Sequence, residues 1–352
     1  MNGAEALIQT LCDSGVDVCF ANPGTSEMQL VAALDGQPNM RAVLGLFEGV
    51  VTGAADGYGR MADKPAATLL HLGPGLGNGL ANLHNARRAF TPVVNIVGDH
   101  AGYHLKFDAP LTSDVVGVAK PMSDWVYTSQ SADDLALSGA KAVAKSMSYP
   151  GKIATLITPA DHAWTDGASV AAPVKAPKPK RASGQLVKDA AKALSGDGPH
   201  AIYLGGRALR EDTLELAGKI AAKTGARILC EFFAARLQRG AGRVPVERIP
   251  YFGELAQKFL KDFKSIVFVG SEPPVSFFAY PGKKGWLSPD NANLVRLADP
   301  RTDAFNALAS AEVSSIRWPR LGAITTCRGV SCIGQCSGCA AMSSVRRKMA
   351  MP

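Results

Sequence analysis

Short apolar runs alternate with glycine-bearing turns and helix-like stretches along the first half of this chain, and that alternation limits the fold more than any other feature. Val16-Asp17-Val18-Cys19-Phe20-Ala21, Ala42 to Phe47, Ala66 to Leu72, Pro92 to Asp99 and Lys152 to Ile157 read as strands. Between them, residues 3–14 carry Ala6, Leu7 and Leu11 at helical spacing. Asn22-Pro23-Gly24-Thr25 is turn chemistry, and Ser26 is placed to cap a helix from Glu27 to Leu34. A further helix follows Glu48, and another runs to about Phe90 after the glycine-rich segment Gly73–Gly79. Strand and helix in strict turn predict an α/β fold with a doubly wound parallel sheet.

Residues 166–183 break the pattern with three prolines and several lysines, which predicts a semi-extended linker. A second α/β unit follows, with helices at Gln185–Leu194 and Asp212–Thr224 and strands at Ala201–Gly206, Ala226–Cys230, Ser265–Gly270 and Leu294–Asp299. The expected division is therefore 1–165, a linker at 166–183, a Rossmann-like central domain at 184–312 and an irregular tail at 313–352.

The tail explains most of the charge. The chain's net charge is +8, but the tail carries Arg317, Arg320, Arg328, Arg346, Arg347 and Lys348 with no acid; without those six, 32 basic residues face 30 acidic ones. A nearly neutral body with no basic, aromatic-interleaved stripe argues against nucleic acid as a partner. No apolar run is long enough to span a membrane, and the amino terminus lacks the basic cluster of a signal peptide, so a cytoplasmic location is the default expectation. Of the seven cysteines, Cys12, Cys19 and Cys230 sit among apolar neighbours as reduced core thiols. Cys327, Cys332, Cys336 and Cys339 crowd into the tail. Zinc or iron–sulfur ligation is conceivable there. The lack of an apolar period and of acids favours an altered or frame-shifted end, so no metal ligand is assigned.

The candidate site begins with Glu48, which ends one apolar run and opens a stretch rich in small residues, Gly49 to Arg60. This predicts a buried strand handing over to a helix, at the edge where open α/β sheets bind ligands. A carboxyl buried at such an edge is suited to hold or yield a proton. Glycine costs a helix about 1 kcal/mol relative to alanine, so four in one helix imply close approach of a backbone or a flat ligand. Gly73-Pro74-Gly75-Leu76-Gly77-Asn78-Gly79 reads as a ligand-touching loop. A dinucleotide fingerprint, with Asp99 as its acid, fails on spacing: Asn78 or Leu80 stands where a glycine is required. Of four histidines between His71 and His104, His71 is the candidate, because it ends a strand beside that loop. Gly196-Asp197-Gly198 looks like a metal-binding triplet but is ordinary turn chemistry between a helix and a strand.

Several of these segments together resemble the pyrimidine-binding domain of thiamine-diphosphate-dependent enzymes: Ser14 to Thr25, Leu46-Phe47-Glu48-Gly49, Ala54 to Arg60, Pro74-Gly75 through Asn78-Gly79, Asn82, Ala86 to Pro92 and Val97-Gly98-Asp99. The resemblance is to acetolactate synthase large subunits and, within the wider group, to benzoylformate decarboxylase. It implies that Glu48 hydrogen-bonds N1′ of the aminopyrimidine and favours the imino tautomer that removes the thiazolium C2 proton. It further implies that His71 joins in proton transfer, and that Pro23, Gly24, Thr25, Gly75, Asn78 and Asn82 line the cofactor or substrate side. The implied substrate is a 2-keto acid such as pyruvate, the cofactors thiamine diphosphate and Mg²⁺, and the complete form a homodimer or tetramer. In this group a third domain holds the diphosphate and Mg²⁺. The sequence reaches the tail where that domain should start, so the expectation is half of each site. FAD, carried by the central domain of acetolactate synthases, is left open. The alternatives are a benzoylformate decarboxylase-like lyase, or a non-catalytic or split subunit whose partner supplies the diphosphate domain.

Overall fold

The computed structural model describes residues 1–314, and these belong to one compact unit. The tail cysteines and the frame-shift reading fall outside the described residues. The first part runs α1 (Gly3–Asp13), β1 (Val18–Asn22), α2 (Met28–Asp35), β2 (Arg41–Leu44), α3 (Glu48–Ala62), β3 (Ala66–Leu70), α4 (Leu72–Arg88), β4 (Val93–Asp99), α5 (Val115–Ala119), β5 (Trp125–Thr128), α6 (Ala132–Ser146), β6 (Ile153–Pro159) and α7 (Ala160–Trp164). The second runs α8 (Gly184–Leu194), β7 (His200–Leu204), α9 (Glu211–Thr224), β8 (Arg227–Cys230), β9 (Glu247–Arg248), α10 (Gly253–Leu260), β10 (Ser265–Val269), β11 (Asn293–Ala298) and α11 (Ala304–Ser314).

Both sheets are wholly parallel, in the orders β2-β1-β3-β4-β6-β5 and β11-β10-β7-β8-β9. The expected pair of doubly wound parallel-sheet domains is what the chain forms. In β3 the pleat sends Ala67 and Leu69 into a core with Leu7 and Leu11 of α1, Leu30 of α2 and Leu135 of α6. Ala66 and Leu70 face the opposite layer, with Val51 and Ala55 of α3, Leu76 and Leu83 of α4, and Val115 of α5. A strand buried on both faces has no polar alternation to show, which is why β3, β4 and β6 are continuous apolar runs.

Several local expectations need correction. The run before Glu48 is an exposed edge strand: β2 ends at Leu44, and Leu46 is 91% exposed. Its apolar side chains gave the pattern of a buried strand, but its position at the sheet margin leaves them uncovered. Gly73–Gly79 is no loop; it forms the first two turns of α4. Leu72, held at φ 45°, turns β3 directly into the helix, a conformation costly for a branched side chain. The glycines let α4 lie against α3, where Thr52 donates a 2.9 Å hydrogen bond to the carbonyl of Gly79. Ser26 caps nothing; it lies in a 3-10 turn, Thr25–Glu27, and α2 starts only at Met28 without a side-chain cap. α5, β5, α6, α7, β9, α10 and α11 went unread; most are short, but α6 is a 15-residue helix capped by Ser131 with a clear buried face. The Gly196–Gly198 stretch is indeed a turn between α8 and β7.

The two sheets are tied at Asp63, which caps α3 in the left-handed region at φ 54°. Arg207, Arg210 and Arg236 of the second part converge on its carboxylate at 3.2, 2.9 and 3.0 Å. Burial alone would raise the Asp63 pKa, but the hydrogen bond from Arg210 and the three guanidinium charges bring it below the usual carboxylate range.

Candidate functional site

In the first sheet the chain leaves β1 for β2 on one flank, then returns to β3 on the other, so the strand order reverses between β1 and β3. Ligands of open α/β sheets bind outside the carboxyl ends of the strands at such a point. Asn22 ends β1 in register with Leu70 of β3. The next residues meet at once: a Cβ on Gly24 would stand 2.3 Å from the His71 ring, so this position has room only for glycine.

Glu48 comes to the same edge as the first residue of α3, where a carboxylate complements the helix dipole. It is only 8% exposed. Asn78, on the second turn of α4, donates from Nδ2 to Glu48 Oε2 at 3.0 Å. Gly75 lies between: an added Cβ there would be 3.0 Å from Glu48 Oε1 and 3.2 Å from the His71 Cβ. Glu48, His71, Gly75 and Asn78 are therefore neighbours in space, although sequence separates them. Pro23 is half-buried beside Gly24, and Thr25 stands exposed on the 3-10 turn. Asn82 binds its Nδ2 to the Gly49 carbonyl at 2.7 Å and so cross-links α4 to the start of α3.

One participant was missed by sequence reasoning. Glu27 is 0% exposed, and its Oε2 accepts from the Gly24 N–H at 2.7 Å and lies 2.7 Å from His71 Nδ1. The signal was present as Gly24-x-x-Glu27, an acid placed to reach back to the backbone N–H that opens a helical turn. The other histidines gather elsewhere. His84 is exposed on α4 beside Asn85, and the His100 and His104 rings lie 5.7 Å apart, tilted by 55°, beyond β4. Asp99 ends β4, where burial pushes its carboxyl up while the His100 N–H pulls it back.

The second sheet reverses between β7 and β10. Here Gly206 N–H already donates to the half-buried Glu231 carboxylate at 3.2 Å, and a Cβ on Gly270 would strike the Gly205 carbonyl at 2.5 Å. The two turns are in backbone contact, and a carboxylate stands where a pyrophosphate would need N–H donors. This edge does not fit the dinucleotide end of FAD. For the pyrimidine of thiamine diphosphate the chemistry of the first edge does fit: a buried carboxylate, a side-chain amide holding it, and glycine where any Cβ would press on Glu48 and His71. Among the described residues no group of three or more His, Cys, Asp or Glu could hold a metal.

Comparison with known proteins gives the same direction. Residues 1–120 match the family described as thiamine pyrophosphate enzyme, N-terminal TPP binding domain. A Mycobacterium tuberculosis H37Rv protein named as a candidate acetolactate synthase large subunit, IlvX, is 53% identical over 325 residues, covering 92% of this chain and 62% of that protein. Benzoylformate decarboxylase of Pseudomonas aeruginosa is 32% identical over 131 residues, 37% of this chain and 24% of that protein. The crystal structure of benzoylformate decarboxylase from Polynucleobacter necessarius aligns with a TM-score of 0.77 at 22% identity, over 89% of this chain and 61% of that chain, which speaks to the fold. The chain thus spans less than two thirds of the length of each of these proteins. Residues 1–120 accordingly match the thiamine pyrophosphate enzyme N-terminal domain, and the chain is homologous to proteins named as acetolactate synthase large subunits and benzoylformate decarboxylase.

Proposed function

We propose that this chain is the pyrimidine-holding part of a thiamine-diphosphate-dependent enzyme of the acetolactate synthase type, acting on 2-keto acids such as pyruvate. The observation that carries the reading is the Glu48 carboxylate, buried at the start of α3, held by Asn78 and flanked by Gly75 inside the matched domain. When bound, the cofactor supplies an electron sink for the carbon of the keto group. The chain's residues do the rest. Glu48 holds a proton at the pyrimidine ring nitrogen, Asn78 fixes one carboxylate oxygen, and Gly75 and Gly24 let a flat ring approach. His71 moves a proton on the substrate side. Pro23 and Thr25 border that space, and Asn82 sets the angle of α4 against α3. Mg²⁺ belongs with the diphosphate, and its ligands are assigned to no described residue.

A specific observation favours an assembly in which another polypeptide surface covers this edge. Leu44, Leu46, Phe47 and Val50 are large apolar side chains flanking Glu48 in the sequence, each half or more exposed. An apolar row at a site's rim fits a protein surface better than water. A second copy in a dimer or tetramer, or a subunit carrying the diphosphate domain, answers to that description. Decarboxylation alone, as in a benzoylformate decarboxylase-like lyase, uses the same residues.

The test is binding of the aminopyrimidine half of thiamine, followed by titration NMR of the chain. A hydrogen bond to a charged group is worth roughly 1.5–3 kcal/mol, so Glu48→Gln should weaken binding roughly tenfold to a hundredfold. Equal affinity for the wild type and Glu48→Gln would remove Glu48 from this role.

A further inference from the structure

We infer that Glu27 is a positioning residue for His71, fixing the imidazole as the Nδ1–H tautomer so that Nε2 is the nitrogen left to take up or give a proton at the site. The inference deepens the proposed function and rests on its assignment of proton transfer to His71; the geometry itself stands apart from any cofactor.

Three observations build it. First, Glu27 lies in the turn after β1 with no exposed surface, and two donors converge on its Oε2: the Gly24 N–H at 2.7 Å and His71 Nδ1 at 2.7 Å. A carboxylate is an acceptor only, so a neutral ring at that distance carries its hydrogen on Nδ1. The nitrogen engaged by a hydrogen bond decides which one remains available. Second, the carboxylate and the ring are packed closely against glycine positions. A Cβ on Gly98 of β4 would lie 1.7 Å from Glu27 Oε1, and one on Gly24 would meet the His71 ring at 2.3 Å. Carboxylate and ring are thus wedged between the carboxyl ends of β1, β3 and β4. Third, Glu27 Oε1 is buried without a hydrogen-bond partner. A buried carboxylate left half satisfied is unfavourable for stability alone, which points away from a purely structural purpose. His71 and the Glu48 carboxylate meanwhile both approach Gly75, so the orientation of the ring is set within the proposed site.

The decisive measurement is the ¹⁵N spectrum of the His71 ring in the cofactor-free protein, assigned by its loss in His71→Gln and read at rising pH until the signals stop moving. The expected wild-type result is a protonated Nδ1 and a pyridine-like Nε2, the reverse of the form favoured by free imidazole side chains. Glu27→Met fills the space without an acceptor and should shift the ring toward Nε2–H. Glu27→Gln keeps an acceptor and should retain the wild-type pattern. In the assembled enzyme Glu27→Met should lower kcat tenfold or more while KM for the 2-keto acid changes less than threefold, with Glu27→Gln recovering part of the loss. A wild-type ring carrying Nε2–H overturns the inference whether or not the variants fold, as does an unchanged pattern in Glu27→Met. If Glu48→Gln binds the aminopyrimidine normally while His71 shows Nδ1–H, the proposed function fails and this assignment survives; the opposite pair of results separates them the other way.

Discussion

At the reversal between β1 and β3, Gly24 follows the first strand and its N–H donates to a buried glutamate, Glu27. At the reversal between β7 and β10, Gly205 and Gly206 follow the first strand and Gly206 N–H likewise donates to a glutamate, the half-buried Glu231. The backbone logic is the same and the outcome differs. In the first sheet the glutamate also meets a histidine, beside a second carboxylate and an amide. In the second, among the described residues, its hydrogen bond is to backbone, with the charge of Arg88 nearby, and the turns at Gly205 and Gly270 are in contact. A fold nominates a place for chemistry; side chains that titrate and a clearing to work in decide whether chemistry occurs there.

Matched substitutions separate the two places. Gly270→Ala should be the most damaging. Its φ of 66° is unfavourable for alanine, and the new Cβ would press on the Gly205 carbonyl, which is backbone and cannot turn aside. Together these should cost about 3 kcal/mol. Gly98→Ala instead meets the tip of the Glu27 side chain, which can be displaced. It should cost less stability but release His71 from its fixed tautomer. Thermal melts paired with the His71 ring spectrum test both, and a larger loss of stability in Gly98→Ala would break the comparison.

The tie between the sheets comes next. Asp63→Asn keeps a residue tolerant of the left-handed cap but leaves Arg207, Arg210 and Arg236 without their shared charge. The cluster is partly open to water, so the loss should be about 1–2 kcal/mol, below the range for fully buried pairs. The sign follows from the lowered pKa of Asp63: its contribution is present above the unfolded-state value and fades as pH falls through the folded one. The difference in Tm between the two proteins should therefore shrink in acid. A difference that is constant between neutral and acid pH would show that the charge is not the source.

How much of this was legible in the sequence depended on whether a signal was local. Runs such as Val93–Asp99 and Ile153–Pro159 are apolar because both faces are buried, so they announced themselves as parallel strands. Glu48 and His71 were legible because each ends an apolar run. β2 misled because an edge strand with exposed leucine looks the same as a buried one until a neighbour is known to be missing. Gly73–Gly79 misled because glycine serves loops and close helix contacts alike, and only the packing against Thr52 distinguishes them. Glu27 was overlooked because its partners come from β3 and β4, brought together by sheet order rather than by sequence.

The smallest effect should come from Glu231, and it sharpens the contrast most. Burial pushes its carboxyl above the ordinary value, against the Gly206 N–H and the charge of Arg88, which lower it. A group whose folded pKa is raised binds more protons folded than unfolded, so stability falls as pH climbs through that window and stays reduced above it. Glu231→Gln keeps the acceptor for Gly206 and removes the charge. It should therefore stabilise at neutral and alkaline pH by on the order of 1 kcal/mol, a Tm rise of about 2–4 °C, with the gain vanishing near pH 4. That result would mark Glu231 as a burden carried by a closed turn with no ligand to justify it. A loss of stability at every pH would instead mean the ionised carboxylate is wanted there, and the second reversal point would have to be read, like the first, as a site.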